Sequence, residues 1–79
     1  MELRILSPKT DTSLTVDWVE VNTPAGNMVI QSFHAPLIAN ILSNSTITVC
    51  KGKNIQQIPV SVGSIKVAHN VVTLLMHEE

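Results

Sequence analysis

The sequence predicts an all-β domain, an antiparallel sandwich or small barrel, from three observations. Val, Ile and Thr supply 25 of the 79 residues against 11 for Ala and Leu, and β-branched side chains suit a pleated surface better than a helix. Apolar residues fall into short runs that mostly alternate with polar ones, the period of a half-buried strand. Clusters of Gly, Pro, Asn and Ser separate these runs at roughly 8–12-residue spacing, the rhythm of sandwiches and small barrels. The length allows one domain, residues 1–79, because chains this small are marginal even with a single core.

Residues 2–6 open the series and are closed by Ser7-Pro8-Lys9-Thr10-Asp11. Residues 14–22 form a longer extended run, with Asp17, Val19 and Val21 on one face and Val16, Trp18 and Glu20 on the other. Thr23-Pro24-Ala25-Gly26-Asn27 is a turn by composition, and Met28-Val29-Ile30 returns as a short strand. Pro36 makes residues 31–36 irregular by pushing Ala35 toward extended geometry. Six apolar-rich residues, 37–42, bounded by Pro and Ser-Asn-Ser, read as a strand. Residues 45–50 alternate with Ile47 and Val49 inward and Thr46, Thr48 and Cys50 outward, and Lys51-Gly52-Lys53-Asn54 is a hairpin turn. Residues 55–62 put Ile58, Val60 and Val62 on one face, and Pro59 marks an edge or bulge. Gly63 bends the chain before Ile65 and Val67, and Ala68-His69-Asn70 turns into a last strand, residues 71–76. About eight short strands result, and no repeat or linker is present.

Only 14% of the residues are charged, against 44% hydrophobic, where ordinary domains carry about 25% charge. A net charge of −1 and a pI near 6.3 give no electrostatic footprint for nucleic acid or an anionic membrane. This hydrophobicity also excludes disorder. Residues 21–50 contain no Asp, Glu, Lys or Arg. Pro24, Gly26, Asn27, Gln31, His34, Pro36 and Asn40 break every window of the about 20 apolar residues that would span a bilayer. The gap reads either as chance in a charge-poor chain or as a surface spared charge because another subunit covers it. No export signal precedes the first strand, which predicts a cytoplasm-like compartment. The single Cys50 fits a reducing one.

Residues for catalysis are sparse. His34, His69 and His77 lack zinc-site spacing. Cys50 as a nucleophile would need a neighbouring base, and it reads more simply as a small apolar filler. Asp11 with Asp17, and Glu78 with Glu79, read as solvated carboxylates. Gly52-Lys53 lacks the context of a phosphate loop, and Asn44-Ser45-Thr46 matches a glycosylation pattern that is idle without export. Trp18 is expected in the core. Phe33, inside the charge-free gap, either tucks under its loop or marks an interface. No catalytic, cofactor-binding or metal-binding residue is assigned.

The run Gly26-Asn27-Met28-Val29-Ile30-Gln31-Ser32-Phe33-His34-Ala35-Pro36-Leu37-Ile38 resembles the signature of the epsilon subunit of F-type ATP synthases, Gly-Glu-[hydrophobic]-Gly-Ile-Leu-Pro-Gly-His-Ala-Pro-Leu-Leu, most specifically at His34-Ala35-Pro36-Leu37. Ser7-Pro8, Val19-Glu20-Val21, and the run from Val60-Ser61-Val62-Gly63 to Asn70-Val71-Val72-Thr73 agree in order, so the similarity covers nearly the whole chain. Asn27, Val29, Ser32-Phe33 and Val62 depart from the pattern. Valine resists the positive φ that glycine supplies, so the backbone at Val29 and Val62 is expected to differ from the family geometry or never to have needed it.

The resemblance implies a ten-stranded sandwich of the short form that lacks the family's C-terminal helical hairpin. It also implies a non-catalytic rotor subunit of the central stalk, on the cytoplasmic face of the inner membrane and attached to it only through the complex. Its partners would be the gamma subunit and the c ring, so that proton-driven ring rotation is coupled to ATP synthesis. Gly26, Asn27, Met28, Gln31 and Phe33 would face the c ring, and His34, Ala35, Pro36, Ile38 and Ala39 would face gamma. A charge at Ala39 should then weaken assembly more than folding, and no ATP should bind without the hairpin. The alternative is a diverged stand-alone β-sandwich that binds another protein through its charge-free face.

Overall fold

The computed structural model describes residues 1–77. Nine strands occur among them: β1 (Glu2–Leu6), β2 (Asp11–Thr15), β3 (Trp18–Thr23), β4 (Gly26–Gln31), β5 (Leu37–Ile41), β6 (Ser45–Lys51), β7 (Asn54–Val60), β8 (Gly63–Ala68) and β9 (Val71–Met76). They form a five-stranded sheet, β2-β1-β9-β8-β5, facing a four-stranded sheet, β4-β3-β6-β7. The all-β sandwich is present, with nine strands among the described residues where alternation predicted about eight and the resemblance implied ten. The Glu78–Glu79 pair considered above lies outside the described residues.

The strand pairs are antiparallel except one. β1 lies parallel to β9, with Leu3 beside Val72 and Ile5 beside Leu74. Parallel neighbours need a long connection, and here the connection is almost the entire chain. The first and last strands thus close the middle of the larger sheet.

Period-two alternation decides what is buried. Leu3, Val19, Val21, Ile30, Ile47, Ile65, Val67, Val72 and Leu74 point between the sheets and are almost fully buried. Each such side chain contributes about 1.5–3 kcal/mol relative to exposure. No buried side-chain polar atom among the described residues lacks a partner.

Several local expectations change. The run 14–22 is two strands, broken at Val16 and Asp17, where the chain passes from one sheet to the other: the Val16 amide bonds to Met1 O and the Asp17 amide to Cys50 O. Both sides of the break supply core residues because Val16 and Val19 each reach the interior. Asp11 opens β2 rather than ending a turn. Trp18 is only half-buried and stands outside the core cluster. Val62 lies beyond the end of β7 and is 41% exposed.

Cys50 keeps its outward register, between Trp18 on β3 and Ile55 on β7, yet it is buried. Two large flanking residues on the same face account for this. Pro59 does sit on an edge strand, since β7 ends the smaller sheet.

Gly63 is required for space. A Cβ there would stand 2.8 Å from the Leu75 carbonyl oxygen and 3.0 Å from a Val60 methyl. Its neighbour Val62 occupies open surface and meets no such constraint.

Candidate interaction surface

The expected contact residues lie on β4, β5 and the segment between them. Gly26, Asn27 and Met28 leave the β3–β4 hairpin tip, where Thr23 faces Gly26. Pro24 fixes a negative φ, so Gly26 supplies the positive one, 124°. The buried Thr23 hydroxyl locks the tip by donating to the Gly26 carbonyl at 3.0 Å and accepting the Ala25 amide at 3.1 Å. Asn27 donates its side-chain amide to Asn22 Oδ1 at 3.0 Å. Gly26 and Asn27 are exposed, while Met28 is half-buried and packs against the core.

Gln31 and Phe33 lie at the other end. β4 runs unbroken from Gly26 to Gln31, so the two stand about 17 Å apart at about 3.4 Å per residue. The grouping of Gly26, Asn27, Met28, Gln31 and Phe33 is therefore split along β4, and Phe33 falls beside His34.

At that end Gln31-Ser32-Phe33-His34 is a turn closed by the His34 amide to the Gln31 carbonyl at 3.2 Å. Phe33 carries φ of 63°, the sign pattern of a type II turn, which favours Gly or Asn at that place. The departures from the signature thus behave differently. Val29 and Val62 are absent from the non-glycine residues with positive φ, whereas Phe33, standing where the signature has glycine, keeps the glycine-like backbone. The Phe33 amide donates to Asn70 Oδ1 at 2.8 Å. Asn70 and His69 form the β8–β9 turn with φ of 61° and 53°, the pattern of a type I′ hairpin.

The imidazole Nδ1 of His34 is 2.7 Å from the Ala35 carbonyl. A carbonyl only accepts, so in this contact Nδ1 is the donor.

Beyond Pro36, strand alternation separates the remaining residues. Ile38 projects from the outer face of the larger sheet and is 79% exposed, whereas Ala39 packs against the core. The pleat thus turns Ala39 toward the interior, opposite to Ile38, so a glutamate there would disturb folding as well as any assembly. Ile38, Pro36, Ala68 and Lys66 line a shallow depression on the outer face. Lys66 stands in register with Ile38.

The histidines do not converge. His34 and His69 belong to loops at one end of the sandwich, and His77 follows β9 at the other. No group of three metal-ligating side chains occurs among the described residues. No helix there is long and apolar enough to cross a membrane.

Sequence reasoning missed Asn70 as the partner of Phe33 and Lys66 as the charge beside Ile38. Register alone creates the second pair. The first joins residues 37 apart, and no local pattern announces it.

Two facing sheets, of five and four strands in this order, with an exposed, uncharged loop between β4 and β5, define a small β-sandwich domain. Residues 1–78 match the family described as ATP synthase, Delta/Epsilon chain, beta-sandwich domain. The chain belongs to that family. Among solved structures, a chain of the Euglena gracilis mitochondrial ATP synthase, in an OSCP/F1/c-ring structure, superposes with a TM-score of 0.87 at 19% identity, covering 96% of this chain and 49% of that one. A chain from the central stalk and c ring of the Tetrahymena thermophila mitochondrial ATP synthase superposes with a TM-score of 0.79 at 14% identity, covering 98% and 63%. At these identities the likeness is one of fold. This chain spans less than two thirds of the length of either neighbour. No curated protein matches.

Proposed function

We propose that the chain is a central-stalk subunit of an F-type ATP synthase that makes and breaks no bond itself and transmits c-ring rotation, driven by proton transport, toward ATP synthesis. The observation that carries this is the family match across residues 1–78. The fold likeness to a chain of a central stalk and c-ring structure supports it.

In this reading Gly26 and Asn27, exposed at the hairpin tip, meet the c ring, and the segment from His34 through Ile38 meets gamma. A torque-transmitting part must hold two partners at separated places on a stiff body. The sandwich supplies this, with the two regions at opposite ends of β4 and the Thr23 hydroxyl and Asn70 amide bracing each loop. Membrane attachment then follows from the complex, on the cytoplasmic face of the inner membrane. No ATP site is assigned, and ATP titrated into the chain should give no saturable heat.

Copurification tests the role. The tagged chain should retain purified gamma, and gamma together with the c ring, at micromolar concentration. Failure to retain gamma would overturn the stalk reading in favour of a stand-alone protein-binding sandwich.

A further inference from the structure

We propose that Phe33 is a preorganised apolar anchor that enters an uncharged recess of the gamma subunit, and that Asn70 is the positioning residue that holds it ready. This rests on the stalk reading and moves Phe33 from the ring-facing group to the gamma-facing one.

Two features of Phe33 oppose the stability of the isolated chain. Its φ of 63° lies in the left-handed region, which side chains with a Cβ adopt at a cost. Its side chain is 84% exposed, the most exposed of the large hydrophobic residues described, so folding buries almost none of it. Asparagine or glycine would satisfy the same turn without an aromatic ring in water. Backbone strain persists where surrounding structure over-determines it, and it concentrates at functional sites.

The surroundings do over-determine it. The Phe33 amide is fixed by Asn70 Oδ1 at 2.8 Å, and the turn is closed by the His34 amide at 3.2 Å. Asn70 is itself set by the tight two-residue turn that closes the β8–β9 hairpin, rather than by a loose loop. An aromatic ring presented on a backbone already in place loses little further freedom when it binds, which is how an interface anchor gains affinity.

Within the stalk reading, position points to gamma as the partner. Phe33 adjoins His34 and lies at the opposite end of β4 from Gly26. The neighbouring depression is lined by Pro36, Ile38 and Ala68, and Lys66 is its one charged residue. Lys66 pairs with no carboxylate among the described residues, where the ion pair present is Arg4 with Asp11. The matching surface is an uncharged apolar recess for the ring, with a carboxylate outside it placed to meet Lys66.

The test uses the whole 79-residue chain and purified gamma, with affinity from calorimetry and stability from thermal unfolding. Phe33→Gly and Phe33→Asn should each weaken gamma binding by about tenfold or more, the effect of losing an interface anchor, while the melting temperature stays level or rises. Asn70→Gly keeps the turn's positive φ but removes the acceptor, so binding should fall severalfold. Asn70→Asp, which retains an acceptor oxygen, should restore it. In the Phe33→Gly background Asn70→Gly should cost nothing further, the non-additivity of one residue acting through another.

A wild-type chain that does not bind gamma overturns the stalk reading itself. A wild-type chain that binds, with both Phe33 variants binding equally well, overturns the anchor alone. Binding losses confined to the c ring, or to a self-associated dimer of this chain, overturn gamma as the occupant. A lowered melting temperature in both Phe33 variants assigns the ring to the fold and overturns the proposal.

Discussion

The Asp17 carboxylate accepts the Gly52 amide at 2.7 Å across 35 residues, while the Asp17 amide donates to the Cys50 carbonyl at 2.7 Å. One residue thus ties the crossing from β2 to β3 onto the β6–β7 hairpin. Gly52 has φ of 61°, and its amide at the tip would otherwise face water.

Asp17→Ala removes this tie but leaves the backbone bond. Hydrogen bonds to charged groups contribute about 1.5–3 kcal/mol, and exposure lowers this one to about 1 kcal/mol. For a domain this small that is a fall of about 4–8 °C in melting temperature. Asp17→Asn, which keeps an acceptor oxygen, should lose less. Equal losses in the two variants would assign the effect to the β2–β3 crossing rather than to the bond.

Gly63→Ala should destabilise by about 1–3 kcal/mol, the range for overpacking a filled site. The added Cβ meets the Leu75 backbone, which cannot turn aside as a side chain can. Urea unfolding measures this, and an unchanged midpoint would show that β8 and β9 separate easily.

Cys50 is 8% exposed despite its outward register. Native protein should therefore react with a bulky disulfide reagent far more slowly than protein in denaturant, since thiol reactivity requires access. Trp18→Ala should accelerate the native reaction, because Trp18 is its neighbour in register on β3.

Ile38 and Ala39 are adjacent and should answer oppositely. Ile38→Asp, at an exposed position, should shift stability by no more than about 0.5 kcal/mol and weaken gamma binding. Ala39→Asp puts a carboxylate against the core and should lower the melting temperature sharply. A drop in stability at Ile38 matching that at Ala39 would contradict the pleat assigned to β5.

Most strands were legible because their signal is local. The β5 strand at Leu37–Ile41, the Gly52-Lys53 and His69-Asn70 turns, and Pro59 on an edge all follow from alternation and turn chemistry within a few residues. The break at Val16 and Asp17 was not legible, since both sides of it supply apolar residues and only the transfer between sheets separates them. Alternation placed Cys50 outward correctly but said nothing of its cover, because cover depends on which strands become neighbours. The candidate site was partly legible. The sequence singled out His34 and Phe33, but the resemblance grouped Phe33 with Gly26, which lies at the other end of β4, and Ile38 with Ala39, which the pleat turns the other way.

The charge-poor composition, the β-branched bias and the 26–38 signature determined by themselves an all-β domain and the resemblance that the family match bears out. Those properties depend on side-chain identity and short-range spacing. Only the tertiary structure decided that β1 and β9 lie parallel, that Gly26 and Phe33 occupy opposite ends of one strand, and that Asn70 holds Phe33 in a left-handed turn. These are contacts between residues far apart in the chain, set by how two sheets close over one core, and no local pattern encodes them.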